Sequence, residues 1–445
     1  MSGRATGRAL AFGLGILPLA ASGAMASGFA LKEQSGAALG NAFAGATAGA
    51  EDITYMFFNP AGLTRHEGNQ VAAVASAIFA RSDFDNGTAT SVGGAPITGG
   101  DGGGAFTPVV VPAAYGLWSV NEDLKLGLGV NVPFGLKTEY DNGWIGRYHA
   151  VESDLQTVNV NPAVAYEIVD GVSLGAGLQV EYATATLSQA IDFGSLGPLG
   201  GAVPDPAQDG FAEVEGDDFG FGWNAGLLLE PIEGTRVGLA YRSMIAHTLE
   251  GDADFDLGTG GDGAIVSGAL GNFVDTGAQA SVKTPESISA GIYHDIDDRW
   301  AVMAETSWTR WSRFQELRVS FDNPNQDDSV VTEDWDDSWF FAGGVTYRPA
   351  ENWTLRLGLA YDQSPVPDGT RTPRVPDSDR TWVALGGRYA VGDWLTLDLG
   401  YTHIFVEDSS IALSSATPEN QFRGNLSGDY DSAIDIVTIQ GVVKF

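Results

Sequence analysis

The feature that most constrains this chain is the rhythm of its connections. Segments with apolar residues at every second position are joined by links that alternate between very short and very long. The short links fall at Ser119–Glu122, Val169–Asp170, Pro231–Gly234, Asp295–Asp298, Pro349–Asn352 and Val391–Asp393, and long stretches rich in Gly, Asp and Pro separate them. Tight turns on one side and long loops on the other are the pattern of an outer-membrane barrel. The period-2 segments are clearest late in the chain. Val437, Ile439, Gly441, Val443 and Phe445 alternate with Thr438, Gln440, Val442 and Lys444. Leu395, Leu397, Leu399 and Tyr401 alternate with Thr396, Asp398, Gly400 and Thr402, and the segment from Trp353 interleaves Arg356 and Asp362 with its leucines. Polar and charged residues on one face of a strand suit a wet lumen, with the apolar face turned to lipid. A soluble sandwich would also alternate. It would not explain the short–long rhythm, nor why Trp118, Trp300, Trp353 and Trp394 all lie beside short turns, where amphipathic rings prefer the headgroup level.

Fourteen strands are expected, near 69–84, 107–118, 123–135, 155–168, 171–188, 217–230, 235–250, 279–294, 299–313, 336–348, 353–363, 381–390, 394–407 and 431–445. The predicted fold class is all-β, a 14-stranded antiparallel transmembrane β-barrel. An even count returns the chain to the periplasmic side, where the terminal aromatic Phe445 resembles the assembly signal of many such barrels.

Composition agrees. Only 18% of residues are charged, against about 25% in soluble domains, and the chain holds 22 Phe, 13 Tyr and 11 Trp. With no Cys, a disulfide framework and a thiolate metal site are both excluded. The net charge of −34 repels nucleic acid and anionic surfaces. Much of the acid falls in expected loops, at Asp205–Asp218 and Asp322–Asp337. A solvated surface is the simple reading of such runs; cation bridging to lipopolysaccharide phosphates is the other.

The start of the chain reads as an export signal. Arg4 and Arg8 precede an apolar stretch, Ala9 to Ala20, and Ala24-Met25-Ala26 is an A-x-A cleavage site. The stretch is too short for a spanning helix. Three parts are therefore expected: a signal peptide at 1–26, a non-barrel segment at 27–68 and the barrel at 69–445. The middle part does not alternate. Gly36, Ala37, Ala38, Gly40, Ala42, Ala44, Gly45 and Ala46 are small enough to pack in a confined lumen, and Tyr55, Met56, Phe57 and Phe58 are too apolar for a solvated tail. A hatch, or plug, inside the barrel is the natural use.

Catalytic signatures are missing. His66, His149, His247, His294 and His403 form no H-E-x-x-H spacing, no G-x-S-x-G elbow occurs, and strings such as Gly127-Leu128-Gly129 lie on strands with no following helix. No cofactor and no enzyme activity are expected. An outer-membrane enzyme, a general porin and a structural barrel remain the alternatives to a transporter.

Several blocks, taken in order, resemble the outer-membrane long-chain fatty acid transporters of the FadL type. They are Gly28-Phe29-Ala30-Leu31, Gly40 to Gly45, Asn59-Pro60-Ala61, Phe219 to Gly226, Tyr241-Arg242-Ser243, Thr306 to Ser312, Asp362 to Pro367 and Pro376 to Arg380. A second Asn-Pro-Ala, Asn161 to Ala163, lies inside an expected strand, so only the first has the hatch context. The resemblance implies passive uptake of hydrophobic compounds, most simply long-chain fatty acids. Ligand would pass from a groove among the loops to a deeper pocket, and then sideways into the bilayer through a gap made by an inward kink in the third strand. It implies gating roles for Asn59, Pro60 and Ala61, and a kink at Pro133, Phe134 and Gly135, where Pro cannot donate to a ladder. It also implies a carboxylate contact at Arg318, whose companion position is the neutral Gln189. That departure leaves room for aromatic hydrocarbons as the substrate. The implied partners are the hydrophobic ligand, outer-membrane lipid and lipopolysaccharide, with the chain a monomer.

Overall fold

The structure, a computed structural model, describes residues 27–197 and 203–445, so the expected signal peptide lies outside the described residues. The alternating segments form one closed barrel of 14 antiparallel strands. The first two are Gln70–Thr90 and Val109–Ser119, and the third comes in two pieces, Leu124–Asn131 and Gly135–Glu139. Glu152–Val169, Val172–Ile191 and Gly210–Ile232 follow. The seventh (Thr235–Arg242, Ile245–Asp256) and eighth (Thr276–Thr284, Ser287–Asp295) are interrupted. The ninth, Trp300–Thr309, and the tenth, Ser338–Ala350, carry short outward extensions at Glu316–Phe321 and Ser329–Thr332. Trp353–Asp362, Arg380–Val391, Leu395–Val406 and Asn425–Lys444 complete the wall. Closure comes from the last strand pairing with the first, from Gln70 opposite Lys444 to Thr90 opposite Asn425. No strand edge is left to lipid at the seam.

Several strands run further than expected. At about 3.3 Å per residue, the 23 residues of Gly210–Ile232 span roughly 75 Å, far more than the roughly 25 Å apolar band even when tilted. The excess projects outward, so Glu213 and Glu215, which precede the expected 217–230, sit on a strand and not in a loop. Apolar alternation marks only the part of a strand in lipid, which is why the outer ends were invisible to it. The ninth strand stops at Thr309, short of the expected 313, and Trp311–Arg313 form a 3-10 turn that buries Trp311. The four turn-side tryptophans are exposed on the outer face, as a girdle requires.

Residues from Ser27 to Arg65 fill the lumen. Two short helices, Gly36–Leu39 and Ala46–Gly49, and two 3-10 turns, Ile53–Phe57 and Pro60–Arg65, touch the wall all round. Gly36 N–H donates to Gln440, Thr47 N–H to Glu305, and the Asn41 amide to the Val345 carbonyl. Wall glycines permit this approach. A Cβ on Gly226 would strike the Asn59 side chain, and one on Gly358 would strike the Asn41 backbone.

Candidate functional site

The third strand breaks at Val132–Phe134, and here the wall is incomplete. Its lower piece pairs with the second strand only from Ala114 to Ser119. Its upper piece pairs with the fourth strand alone, while Val109–Ala113 pair only with the first. Between them no ladder closes the wall. The inner segment supplies the missing partner: Leu31 N–H donates to the Pro133 carbonyl at 2.8 Å, and Gly135 N–H to the Phe29 carbonyl at 2.9 Å. The Gln34 amide donates to the Val132 carbonyl at 2.7 Å. Pro133, Phe134 and Gly135 are thus the residues at which strand, gap and inner segment meet.

Phe29 sits in a cage of rings. Its centroid lies 4.6 Å from Trp311, 5.6 Å from Trp335, 5.7 Å from Phe314 and 6.1 Å from Phe134. Beside the cage is a narrow apolar pocket of about 70 Å³, lined by Phe29, Leu136, Leu155, Val282 and Phe314. Leu187, Leu317 and Arg374 border both it and a cavity of about 1100 Å³ among the extracellular loops. Ile191, Val214, Phe255, Phe273, Val319 and Phe321 give the large cavity its apolar wall.

Two guanidinium groups face that wall. Arg374 is 5% exposed. It donates to the Glu152 carbonyl and Ser153 Oγ at 3.0 and 2.9 Å, and to Gln189 Oε1 at 3.2 Å. Its Nε has no partner. Arg423 donates to Ser329 Oγ at 3.0 Å, and neither arginine has an ion pair among the described residues. Burial, then the neighbouring Arg423, pushes Arg374 down to about 9. Burial raises the Glu333 carboxyl to about 8; this residue lines the inner pocket and accepts from Trp335 Nε1 at 2.9 Å. His149, pushed to about 3 by burial and the two arginines, is neutral there.

The expected site residues separate. Gln189 lines the large cavity and holds Arg374. Arg318 points away from the cavity walls formed by its neighbours Leu317 and Val319, and pairs with Glu316 at 2.7 Å and Asp328 at 2.9 Å on the surface. Asn59 caps the turn Pro60–Arg65 through Ala61 N–H and donates to the Thr47 and Leu227 carbonyls, tying inner segment to wall. Arg374, Arg423, Glu333 and the ring cage were not anticipated. They come from loops and strand ends separated by tens to hundreds of residues, and no spacing in the sequence joins them.

A closed barrel with a filled lumen and an apolar cavity under its loops defines an outer-membrane channel for hydrophobic compounds. Residues 17–445 match the family described as outer membrane protein transport protein (OMPP1/FadL/TodX), and the chain belongs to it. A putative outer membrane protein of Neisseria meningitidis serogroup B is 31% identical over 449 residues, covering 96% of each chain. The long-chain fatty acid transport protein of Escherichia coli K12 is 30% identical over 406 residues, 86% of this chain and 88% of that one. Among solved structures, a Pseudomonas aeruginosa FadL homologue superposes with a TM-score of 0.86 at 27% identity, over 94% of this chain and all of that one. The Pseudomonas putida toluene transporter TodX shares the fold, with a TM-score of 0.65 at 17% identity over 93% of this chain and 99% of that one. The chain is an outer-membrane transporter of hydrophobic compounds, and its family is one of transporters, not of enzymes.

Proposed function

We propose that the compounds taken up are anionic amphiphiles, long-chain fatty acids foremost. The observation that carries this reading is the partnerless Nε of buried Arg374 beside an apolar cavity. A buried donor without an acceptor costs about 1–3 kcal/mol, and a carboxylate is the acceptor that relieves it. The Arg374–Arg423 pair takes the role that Arg318 was expected to fill. The acyl tail lies along the apolar wall, where each buried CH₂ contributes about 0.8 kcal/mol. Phe29 then swings from its cage, residues 27–35 release the third strand at Pro133–Gly135, and the ligand leaves sideways into the bilayer. Asn59, Pro60 and Ala61 keep the rest of the hatch in place. The long-chain fatty acid transport proteins among the relatives support the assignment; a neutral ligand, as in the toluene transporter, has no use for two unpaired cations.

The test is uptake of labelled oleate and labelled toluene by transporter-deleted cells expressing the chain, its Arg374→Met variant and its Arg318→Ala variant. Oleate uptake that falls with Arg374→Met and survives Arg318→Ala is the expected result. Toluene uptake alone, indifferent to both variants, would move the substrate to the hydrocarbons.

A further inference from the structure

The wall is interrupted at a second place, between the eighth and ninth strands. Their ladder runs from Asp295 opposite Ala301 up to Ser287 opposite Thr309, and resumes only where Ala280 pairs with Val319. Residues 281–285 and 311–318 have no ladder partners across this junction. Here the ninth strand gives way to the 3-10 turn Trp311–Arg313, which carries Trp311 into the cage around Phe29. Trp311 is fully buried and its Nε1 has no partner, so packing holds the ring. Ser312 N–H ties the turn to Asp337 at 3.1 Å. Toward the eighth strand the tie is Glu286. Its carbonyl accepts from Arg310 N–H at 3.0 Å, and its carboxylate from Arg310 at 3.2 Å and from Arg313 at 2.7 and 3.0 Å.

The inner pocket borders this break. Ala280 and Val282 line it from the eighth strand, and Phe314 and Leu317 from beyond the ninth, together with Phe29. On the outer face the break stands just above Trp308, whose cross-strand neighbours Ile288 and Trp339 are 43% and 44% exposed. Outward-facing tryptophans at this end mark the headgroup level. Lys283 and Arg310 are exposed there and Arg313 is half-buried. Two of these cations share Glu286, while Lys283 has no ion pair among the described residues. Lys283 lies between the buried Val282 and Thr284, so strand alternation turns it outward.

We propose that this break is a side entrance for amphiphiles already lodged in the outer face of the membrane. It rests on reading the ligand as an anionic amphiphile. The head stays with Lys283, Arg310 and Arg313, since exposed cations at a membrane surface attract anionic heads. The acyl tail passes between the eighth and ninth strands into the inner pocket when the turn Trp311–Arg313 swings aside, and the cavity among the loops is bypassed. Glu286 is the latch. Phe29 and Trp311 touch at 4.6 Å, so the movement that admits the tail also loosens the cage. The third strand breaks after 8 residues and the ninth after 10, which sets the entrance further from the periplasmic turns than the gap at Pro133.

The experiment uses full chain in phosphatidylcholine nanodiscs that already hold oleate with a photoreactive group at its methyl end. After irradiation, mass spectrometry locates the label, which is expected on Leu155, Val282 and Phe314. The chain has no Cys of its own, so paired cysteines make defined, reducible bridges. Glu286→Cys with Arg310→Cys joins cross-strand neighbours beside the Ser287–Thr309 pair, and Ala30→Cys with Phe134→Cys joins a bridge pair at the third-strand gap; neighbours of both kinds are within disulfide reach. Oxidising the first pair is expected to lower the pocket label at least fivefold relative to the same protein reduced. Oxidised and reduced forms of the second pair are expected to agree within twofold. Glu286→Gln, which weakens the latch without a bridge, should raise the label about threefold. A pocket label indifferent to the first bridge, or one that falls only with the second, would overturn the proposal. The same probe added from water tests the reading beneath it: no label around Arg374 would sink the anionic amphiphile, whereas label there with no effect of the first bridge sinks the entrance alone.

Discussion

The periplasmic end of the lumen and the apolar cavity under the loops handle charge in opposite ways. At the periplasmic end, Arg356 bonds Asp398 at 2.9 Å and Glu51 at 3.2 Å, Arg388 bonds Asp398 at 2.8 Å and reaches Asp52, and the Gln440 amide donates to Asp52 at 2.8 Å. Every charge there has a partner, two of the acids belong to the inner segment, and the cations belong to the wall. In the cavity, Arg374 is as deeply buried as Arg356 and Arg423 beside it is half-buried, but neither has an ion pair among the described residues. A paired set binds one element to another, whereas an unpaired cation in an apolar cavity is poised for an incoming anion. The contrast assigns a fixed role to the segment near Glu51 and Asp52, and a receptive one to the loops.

Replacing the same residue type at the two ends gives the largest expected difference. Arg356→Met strands Glu51 in the interior and leaves Asp398 to Arg388 alone, and breaking a buried pair costs about 3–5 kcal/mol. Arg374→Met loses hydrogen bonds but also removes a desolvated charge, and its stability is expected within about 1 kcal/mol of the parent. Urea unfolding in detergent micelles distinguishes them. Equal losses from both would erase the contrast.

For oleate affinity the order reverses. A hydrogen bond to a charged group contributes about 1.5–3 kcal/mol, so Arg374→Met is expected to weaken binding by roughly ten- to a hundredfold, while Arg356→Met leaves binding to the remaining folded protein near the parent value. Titration calorimetry on the two purified variants reads this directly, and an intact affinity in Arg374→Met would remove the receptive role.

How much of this was readable beforehand follows from where each feature lies. Alternation and loop rhythm located all 14 strands, because lipid imposes a period on every residue it touches. The same signal failed at the outer ends, as at Glu213 and Glu215, where no lipid faces the strand and charged residues stand on its outer side. Pro133 and Gly135 announced a break by their own chemistry, but nothing local indicated that Leu31 and Phe29 would mend it. Arg374 was hidden for a different reason. It sits in a Pro-rich loop, and its burial is created by partners as distant in sequence as Glu152 and Ser153. Resemblance pointed to Arg318 instead, whose neighbours Glu316 and Asp328 keep it on the surface.

pH separates the two ends with opposite signs. Burial works against ionised Glu51 and Asp52, but their arginine partners outweigh it and hold both carboxyls below the usual range. Depressed groups stabilise above their unfolded values and lose that contribution as pH falls through the folded ones, so the periplasmic end loosens in acid, below about pH 4. Glu333 is raised to about 8. Its contribution is complete below its unfolded value and is lost as pH rises through 8, so the inner pocket loosens in base. Its carboxylate then also competes with the ligand for Arg374. Hydrogen exchange at pH 3.5, 6.5 and 9 is expected to show residues 46–65 opening only at the first and residues 333–335 only at the last. Glu333→Gln should abolish the alkaline change; an alkaline change that persists in that variant would assign it to another group.

The smallest expected effect lies between neighbours in the receptive end. Gln189 Oε1 is one of the acceptors that aim the Arg374 guanidinium. Gln189→Ala removes one hydrogen bond of about 0.5–1.5 kcal/mol, and oleate affinity is expected to fall by roughly two- to tenfold. Arg318 is 44% exposed and already shared between two acids. Exposed pairs contribute about 0–1 kcal/mol, and Arg318→Ala should leave affinity unchanged within about twofold. If Arg318→Ala weakens oleate binding more than Gln189→Ala does, the ligand head lies at the surface, and the buried cations serve the loops and not the cargo.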